Sequence, residues 1–304
     1  MKYCYAPRRQ AAFPDVFETW TAIPDQHTDA FLKRVADTGY DGLEIGAVTF
    51  DAAGSDSAVV EFADRLRDRG TPCVVVRAGG SLLEPKTAAI NRDVLDRSLH
   101  YTRLIGARVV TGNMMAPPRH YRIGGEPWGR PIAQDASRSA RIHLFERLAA
   151  DLQAASDVAA SDGITVSLEL HQQSPVDNSW SAKLIHDLVG RANFGINADL
   201  GNILWNYDEP EETAEEAVDV IGPISVYWHC KNVVRVHHPE NQRTVAWKVS
   251  LAQGEMDYRY LMSSMIGSGY TGYVAIEGGR IGDQWHMDTS SLAYLKSLEQ
   301  EMSV

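Results

Sequence analysis

The chain has 304 residues, 44% hydrophobic and 23% charged, a composition that suits one large globular domain or two small ones and excludes a disordered or fibrous chain. With 40 acidic against 29 basic side chains the formal charge is −11, which repels phosphate backbones and makes nucleic acid a poor partner. Cys4, Cys73 and Cys230 are odd in number and lack zinc-type spacing, so the sequence encodes no disulfide framework and suits a reducing, cytoplasmic compartment. The opening MKYCYAPRRQ lacks the apolar stretch of a signal peptide, and no apolar run approaches the ~18 residues of a membrane span.

In chain order, β-branched or apolar runs alternate with stretches of helical period. A strand at 2–5 precedes a helix at 28–38, then come strand 42–46 and helix 57–69, strand 73–77 and helix 87–105, strand 108–111 and helix 137–161. The second half continues with strand 164–170 and helix 179–189, strand 194–198 and helix 210–221, strand 225–229 and helix 258–268, and strand 273–277 and helix 290–302. Glycines close several of these helices, as at Gly106. Eight strand–helix units with no Gly-rich dinucleotide fingerprint after the first strand predict a (β/α)8 TIM barrel filling residues 1–304; an open α/β sheet is the rival.

Loops after strands open on the catalytic face of such a barrel, and three are long. Residues 116–136, rich in Pro and Gly and containing Trp128, read as a lid. Residues 236–255, with His237, His238, Arg243, Trp247 and Lys248, and residues 6–27 read as loops able to wall a pocket. Trp128, Trp205, Trp228 and Trp247 all fall near strand ends, where an indole either stacks on a ligand or fills space under a loop.

The chemistry concentrates at four strand ends: Glu169 in ITVSLELH, Asp199 in FGINADLGN, His229 in ISVYWHCKN and Glu277 in GYVAIEGG, separated by 30, 30 and 48 residues. An acid at a strand end also serves as a helix cap or an arginine partner, but closure of the barrel directs all four toward one point. Three carboxylates converging there repel unless a cation neutralises them, so a divalent metal is expected. One imidazole and three carboxylates suit Mn first, with Mg, Co or Zn as alternatives. His171, two residues beyond Glu169, faces the same mouth by strand alternation and is a further candidate base or substrate donor.

These residues resemble the xylose isomerase-like TIM barrels, a family that includes sugar isomerases, ketose 3-epimerases, inosose dehydratases and the endonuclease IV group. The resemblance spans nearly the whole chain and is carried by Glu169, Asp199, the HxKN element of His229, Lys231 and Asn232, and the IEGG around Glu277. It implies that Glu169, Asp199, His229 and Glu277 bind the metal and that Arg235 contacts substrate oxygens. It further implies that Glu169 and Glu277 act as the acid and base on the two faces of a carbon beside a carbonyl. Lys231, Asn202 and Trp128 join Arg235 as expected substrate contacts.

Two departures bear on the substrate. Relatives with an Asp-x-x-His element have histidine where this chain has Asn202, and the second glutamate that ketohexose epimerases carry six residues after the first is here Pro175. The expected activity is a metal-dependent sugar isomerase or epimerase working through an enediolate. The alternative is a lyase on the same scaffold, such as a keto-inositol dehydratase or the catalytic subunit of a C-glycoside deglycosidase. A DNA endonuclease and a non-catalytic sugar-binding protein complete the field, the former disfavoured by the acidic charge. Expected partners are a small carbohydrate or glycoside and a second subunit, either another copy or a small companion chain; no membrane partner is expected.

Overall fold

The computed structural model describes residues 1–7, 9–12, 15–18, 29–115, 136–172, 174–205, 210–238, 240, 243–277 and 282–303. Strand β1 (Lys2–Ala6) leads into a small hairpin of β2 (Arg9–Ala12) and β3 (Asp15–Glu18), and helix α1 (Asp29–Thr38) returns to β4 (Gly42–Gly46). A short α2 (Ala47–Asp51) and then α3 (Asp56–Asp68) precede β5 (Cys73–Arg77), and α4 (Ala88–Ile105) precedes β6 (Val109–Gly112). Helix α5 (Ile142–Ala160), β7 (Thr165–Glu169), α6 (Ser179–Val189) and β8 (Phe194–Asn197) follow. After α7 (Gly201–Leu204) and α8 (Ala214–Ile221) comes β9 (Ser225–Cys230), then a hairpin of β10 (Asn232–His238) and β11 (Arg243–Val249). The chain ends with α9 (Tyr258–Gly267), β12 (Tyr273–Glu277) and α10 (Gln284–Met302).

Eight strands, in the order β1, β12, β9, β8, β7, β6, β5 and β4, close into a parallel barrel, which is the predicted (β/α)8 TIM barrel and excludes the open sheet. Helical residues such as Leu32, Leu66, Leu148, Ile185, Val218, Leu261 and Leu295 are buried against the outer faces of the strands. Inside the barrel a smaller apolar plug is made by Cys4, Ala6, Val74, Val75, Val109, Tyr227 and Ala275. Because side chains on one face of a strand recur every second residue, the next level toward the carboxyl ends contains Thr111, Glu169, His229 and Glu277. The site is therefore a polar layer seated directly on an apolar floor. Among the described residues no helix is long and apolar enough to cross a membrane.

Local details depart from the sequence reading in ways that capping explains. Helix α10 begins at Gln284 instead of 290, because Asp283 caps it by accepting the amide of His286. Helix α8 begins at Ala214 instead of 210, where Thr213 and Glu216 form a reciprocal capping box. The stretch expected as one helix from 137 splits into a short 3-10 turn, Ser137–Ser139, and α5.

The expected loop 236–255 is largely a hairpin, a correction with a clear cause. Val233, Val234, Val236, Thr244, Val245 and Val249 are β-branched, and the antiparallel register pairs Val234 with Trp247 and Val236 with Val245. Part of the expected loop 6–27 likewise pairs as β2 and β3. The lid expected at 116–136, and Trp128 with it, lies outside the described residues apart from Ala136.

Asn232 anchors the base of the β10–β11 hairpin. Its amide donates to the carbonyls of Leu251 and Met256 at 2.7 and 3.0 Å, and its oxygen accepts the amides of Val233 and Met256. Gly254 lies so close that a Cβ there would overlap the Asn232 amide. Gly254→Ala should therefore destabilise the protein by about 1 to 3 kcal/mol through overpacking. A denaturant melt that coincides with that of the unchanged protein would show that the hairpin base is not tied in this way.

Candidate metal centre

Glu169, Asp199 and His229 are each almost completely buried, and one ligand atom from each lies within 4.8 Å of the others. His229 Nδ1 is 3.6 Å from Glu169 Oε1 and 3.6 Å from Asp199 Oδ2. Asp199 follows β8, where a short turn bonds its amide to the Asn197 carbonyl at 2.8 Å. Glu169 is steadied by Asn202, which donates to Oε1 at 3.3 Å and to the Leu170 carbonyl at 2.9 Å, and by Asn113, 3.5 Å from Oε2.

The charges of this cluster are strongly coupled. Burial by itself raises the Glu169 pKa, but the hydrogen bond and charge of His229, with His171 and Lys231 behind it, hold it well below the usual carboxylate range. Asp199 goes the other way: burial, together with Glu277 and Glu169, outweighs Lys231 and His229 and raises its carboxyl. Burial lowers the His229 imidazole, yet Glu44, Asp199 and Glu169 together push it well above its ordinary value.

Two observations test the fit of a metal ion. Asp199 Oδ1 is buried and has no hydrogen-bond partner among the described residues, a costly state for a carboxylate oxygen that a cation would relieve. The donors are two carboxylates and an imidazole, a set suited to a hard or borderline divalent ion. Cys230, the nearest thiol in sequence, falls on the opposite face of β9 by alternation, and burial pushes its thiol well up. Glu169, Asp199 and His229 can thus hold a metal ion.

Glu277, predicted as the fourth ligand, is not part of the three-residue cluster. Its Oε2 lies 2.6 Å from Lys231 Nζ and 3.1 Å from Lys248 Nζ. Lys231 also reaches Asp199 Oδ2 at 2.7 Å, so it bridges the metal-site aspartate and the outlying glutamate; burial lowers its pKa, but these carboxylates push it up to about 12. Both ammonium groups lie over the Trp205 ring, at 5.6 and 5.1 Å from its centroid.

The remaining candidates divide. His171 is 8% exposed, and its Nδ1 lies 2.7 Å from the Gln172 carbonyl; a carbonyl only accepts, so Nδ1 carries a hydrogen. Asn202, expected at the substrate, is fully buried and spends its amide on Glu169 and the Leu170 carbonyl, so the structure places it as a support for a ligand. Arg235 is paired along the hairpin with Glu255, at 3.0 Å from Nε and 2.9 Å from the outer nitrogen. Trp228 faces outward, fully buried and stacked on Tyr258 at 6.1 Å. Trp247 is 40% exposed on the hairpin.

Glu44 was not singled out by the sequence. Its carboxylate, 2% exposed, crosses the barrel interior from β4 to His229 Nε2 at 2.6 Å, with the Tyr227 hydroxyl at 2.9 Å and Arg77 Nε at 3.1 Å. An acid at the centre of a five-residue apolar strand was the available signal, since such a side chain is buried and needs a partner.

The sequence profile of the xylose isomerase-like TIM barrel family matches residues 32–298, and the chain belongs to that family. A search of curated proteins finds no match. Among solved structures, the chain is similar to a xylose isomerase-like TIM barrel protein from Mycobacterium smegmatis in complex with magnesium, at 21% identity and a TM-score of 0.78, covering 99% of this chain and 98% of that one. It is also similar to 3-keto-D-glucoside 4-epimerase from E. coli, at 16% identity and a TM-score of 0.68, covering 98% and 100%. A third is the probable 3-DHS dehydratase of Bacillus anthracis, at 13% identity and a TM-score of 0.67, covering 97% and 99%. Solved neighbours on this scaffold thus include a sugar epimerase and a probable dehydratase.

A ligand imidazole must be neutral, whereas Glu44, Asp199 and Glu169 raise the His229 pKa and so favour the protonated ring that competes with a metal ion. Metal binding should therefore release protons, and affinity should rise as pH increases through neutrality. Titration calorimetry in buffers of different ionisation enthalpy measures this directly; a heat independent of the buffer would remove His229 from the ligand set. Asp199→Asn should weaken binding in the same assay at least 10-fold.

Proposed function

We propose that the protein is a divalent-metal-dependent sugar isomerase or epimerase that removes a proton beside the carbonyl of a sugar or keto-sugar and returns it on the other face. The observation that carries this reading is the buried Glu169, Asp199 and His229 cluster, with its unpartnered Asp199 oxygen, set beside a Glu277 that two ammonium groups hold. When bound, the ion, with manganese the first choice, supplies a positive charge that polarises the carbonyl and an adjacent hydroxyl.

The protein's own groups do the rest. Glu277, at the rim with a 9% exposed side chain, takes the proton from the substrate carbon, and Lys231 and Lys248 hold its carboxylate in place. Glu169 serves the opposite face, oriented by Asn202 and Asn113. His171, through Nε2, accepts a hydrogen bond from a substrate hydroxyl.

A lyase on the same scaffold is the second reading. It is favoured by Pro175 at the position where ketohexose epimerases carry their second glutamate, and by the dehydratase among the solved neighbours. Both reactions begin with the same proton abstraction and differ in what leaves the enolised substrate.

Incubation with ketoses, inososes and 3-keto-glycosides in deuterated water should give metal-dependent deuterium incorporation beside the carbonyl, followed by NMR. Epimerised product supports the first reading and an eliminated fragment the second; no incorporation by metal-loaded protein with any substrate class contradicts both. Glu277→Gln should reduce turnover at least 1,000-fold, in the range seen for loss of a general base, while the metal affinity stays within a few fold. Retained turnover would assign the base elsewhere.

A further inference from the structure

We infer that Glu44 is the positioning residue that makes Nδ1, and not Nε2, of His229 the metal-binding nitrogen. The inference rests on the metal-centre reading and specifies how that centre is held. His229 Nε2 and the Tyr227 hydroxyl meet Glu44 at Oε2, and Arg77 Nε forms an ion pair with Oε1 at 3.1 Å. A carboxylate accepts at both oxygens, so the His229 nitrogen 2.6 Å from it is the one that carries hydrogen.

The other side of the ring gives the same answer independently. The backbone amide of His229 donates to Asn197 Oδ1 at 2.9 Å, which fixes which end of the Asn197 amide is oxygen. Its nitrogen then faces His229 Nδ1 at 3.0 Å, so in the neutral ring that a metal requires the lone pair is on Nδ1. That lone pair is on the edge of the ring that Glu169 and Asp199 approach, each at 3.6 Å. Glu44 and Asn197 therefore select one tautomer from opposite sides.

Glu44 acts across the barrel. Its strand, β4, is separated from β9 by β1 and β12 in the sheet order, so its only route to His229 is through the interior. Tyr227 rises from the apolar floor to hold the same oxygen, and the Tyr227 ring lies edge-on to the imidazole with centroids 4.9 Å apart. The negative charge behind Nε2 makes Nδ1 a stronger donor to a cation, the role that carboxylates play behind ligating histidines in metal sites generally.

The test uses the full chain with nitrogen-labelled histidine and cadmium as a diamagnetic, NMR-active probe. In the unchanged protein His229 Nδ1 should show the coupling to cadmium while Nε2 keeps a slowly exchanging hydrogen. Glu44→Gln, which preserves length and one acceptor but not the charge, should lower cadmium affinity about 10- to 100-fold, the range for loss of an outer-shell partner, with all three ligands in place. Tyr227→Phe should lower it less. Coupling through Nε2, or a Glu44→Gln affinity within twofold of the unchanged protein, would overturn the role of Glu44 and leave the metal centre standing. Failure of the unchanged protein to bind cadmium, manganese or magnesium would overturn the centre itself. The measurement on the unchanged protein decides the nitrogen even if the variants fail to fold.

Discussion

The structure turns on keeping Glu44, Glu169, Asp199 and Glu277 together and largely buried at one end of the barrel. Lys231, Lys248 and Arg77 answer three of those charges, and His229 sits among them. With His229 neutral, the seven formally charged groups sum to one negative charge; a divalent cation changes the sum to one positive. That inversion suits a reaction in which negative charge grows on a substrate oxygen. Burial that would be prohibitive for any one of these groups is tolerable because each has a partner or is positioned to receive one.

The barrel supplies this arrangement through its pleat. Val109 and Thr111, Tyr227 and His229, and Ala275 and Glu277 are pairs two residues apart on the same inward faces, with the apolar member below and the polar member above. The apolar floor closes the barrel core and gives the polar layer a rigid seat. Tyr227 joins the two levels, its ring in the floor and its hydroxyl on Glu44.

Above the layer, the β10–β11 hairpin brings Lys248 to Glu277 from outside the barrel. Asn232 fixes the hairpin base one residue after Lys231, so the element that completes the charge balance is anchored beside the lysine that begins it. This coupling explains why the HxKN segment acts as a unit: His229 reaches the metal cluster, Lys231 bridges Asp199 to Glu277, and Asn232 holds the fold that delivers Lys248.

Sequence by itself determined the eight strands and the barrel they form, and it singled out the three residues of the candidate metal cluster, because period-two runs, helical periods and acids at strand ends are local signals. It also marked Glu277, Lys231 and His171 as belonging to the mouth. Only the tertiary structure decided that Glu277 pairs with Lys231 and Lys248, that Asn202 supports Glu169, and that Arg235 turns to Glu255, since each depends on a distance between segments far apart in the chain. The hairpin at 232–249 was obscured because its β-branched residues lie on both faces and it pairs with itself outside the barrel repeat. Glu44 was hidden for the deepest physical reason: its partner lies 185 residues away and across the barrel, and nothing in GLEIG specifies which side chain will meet it there.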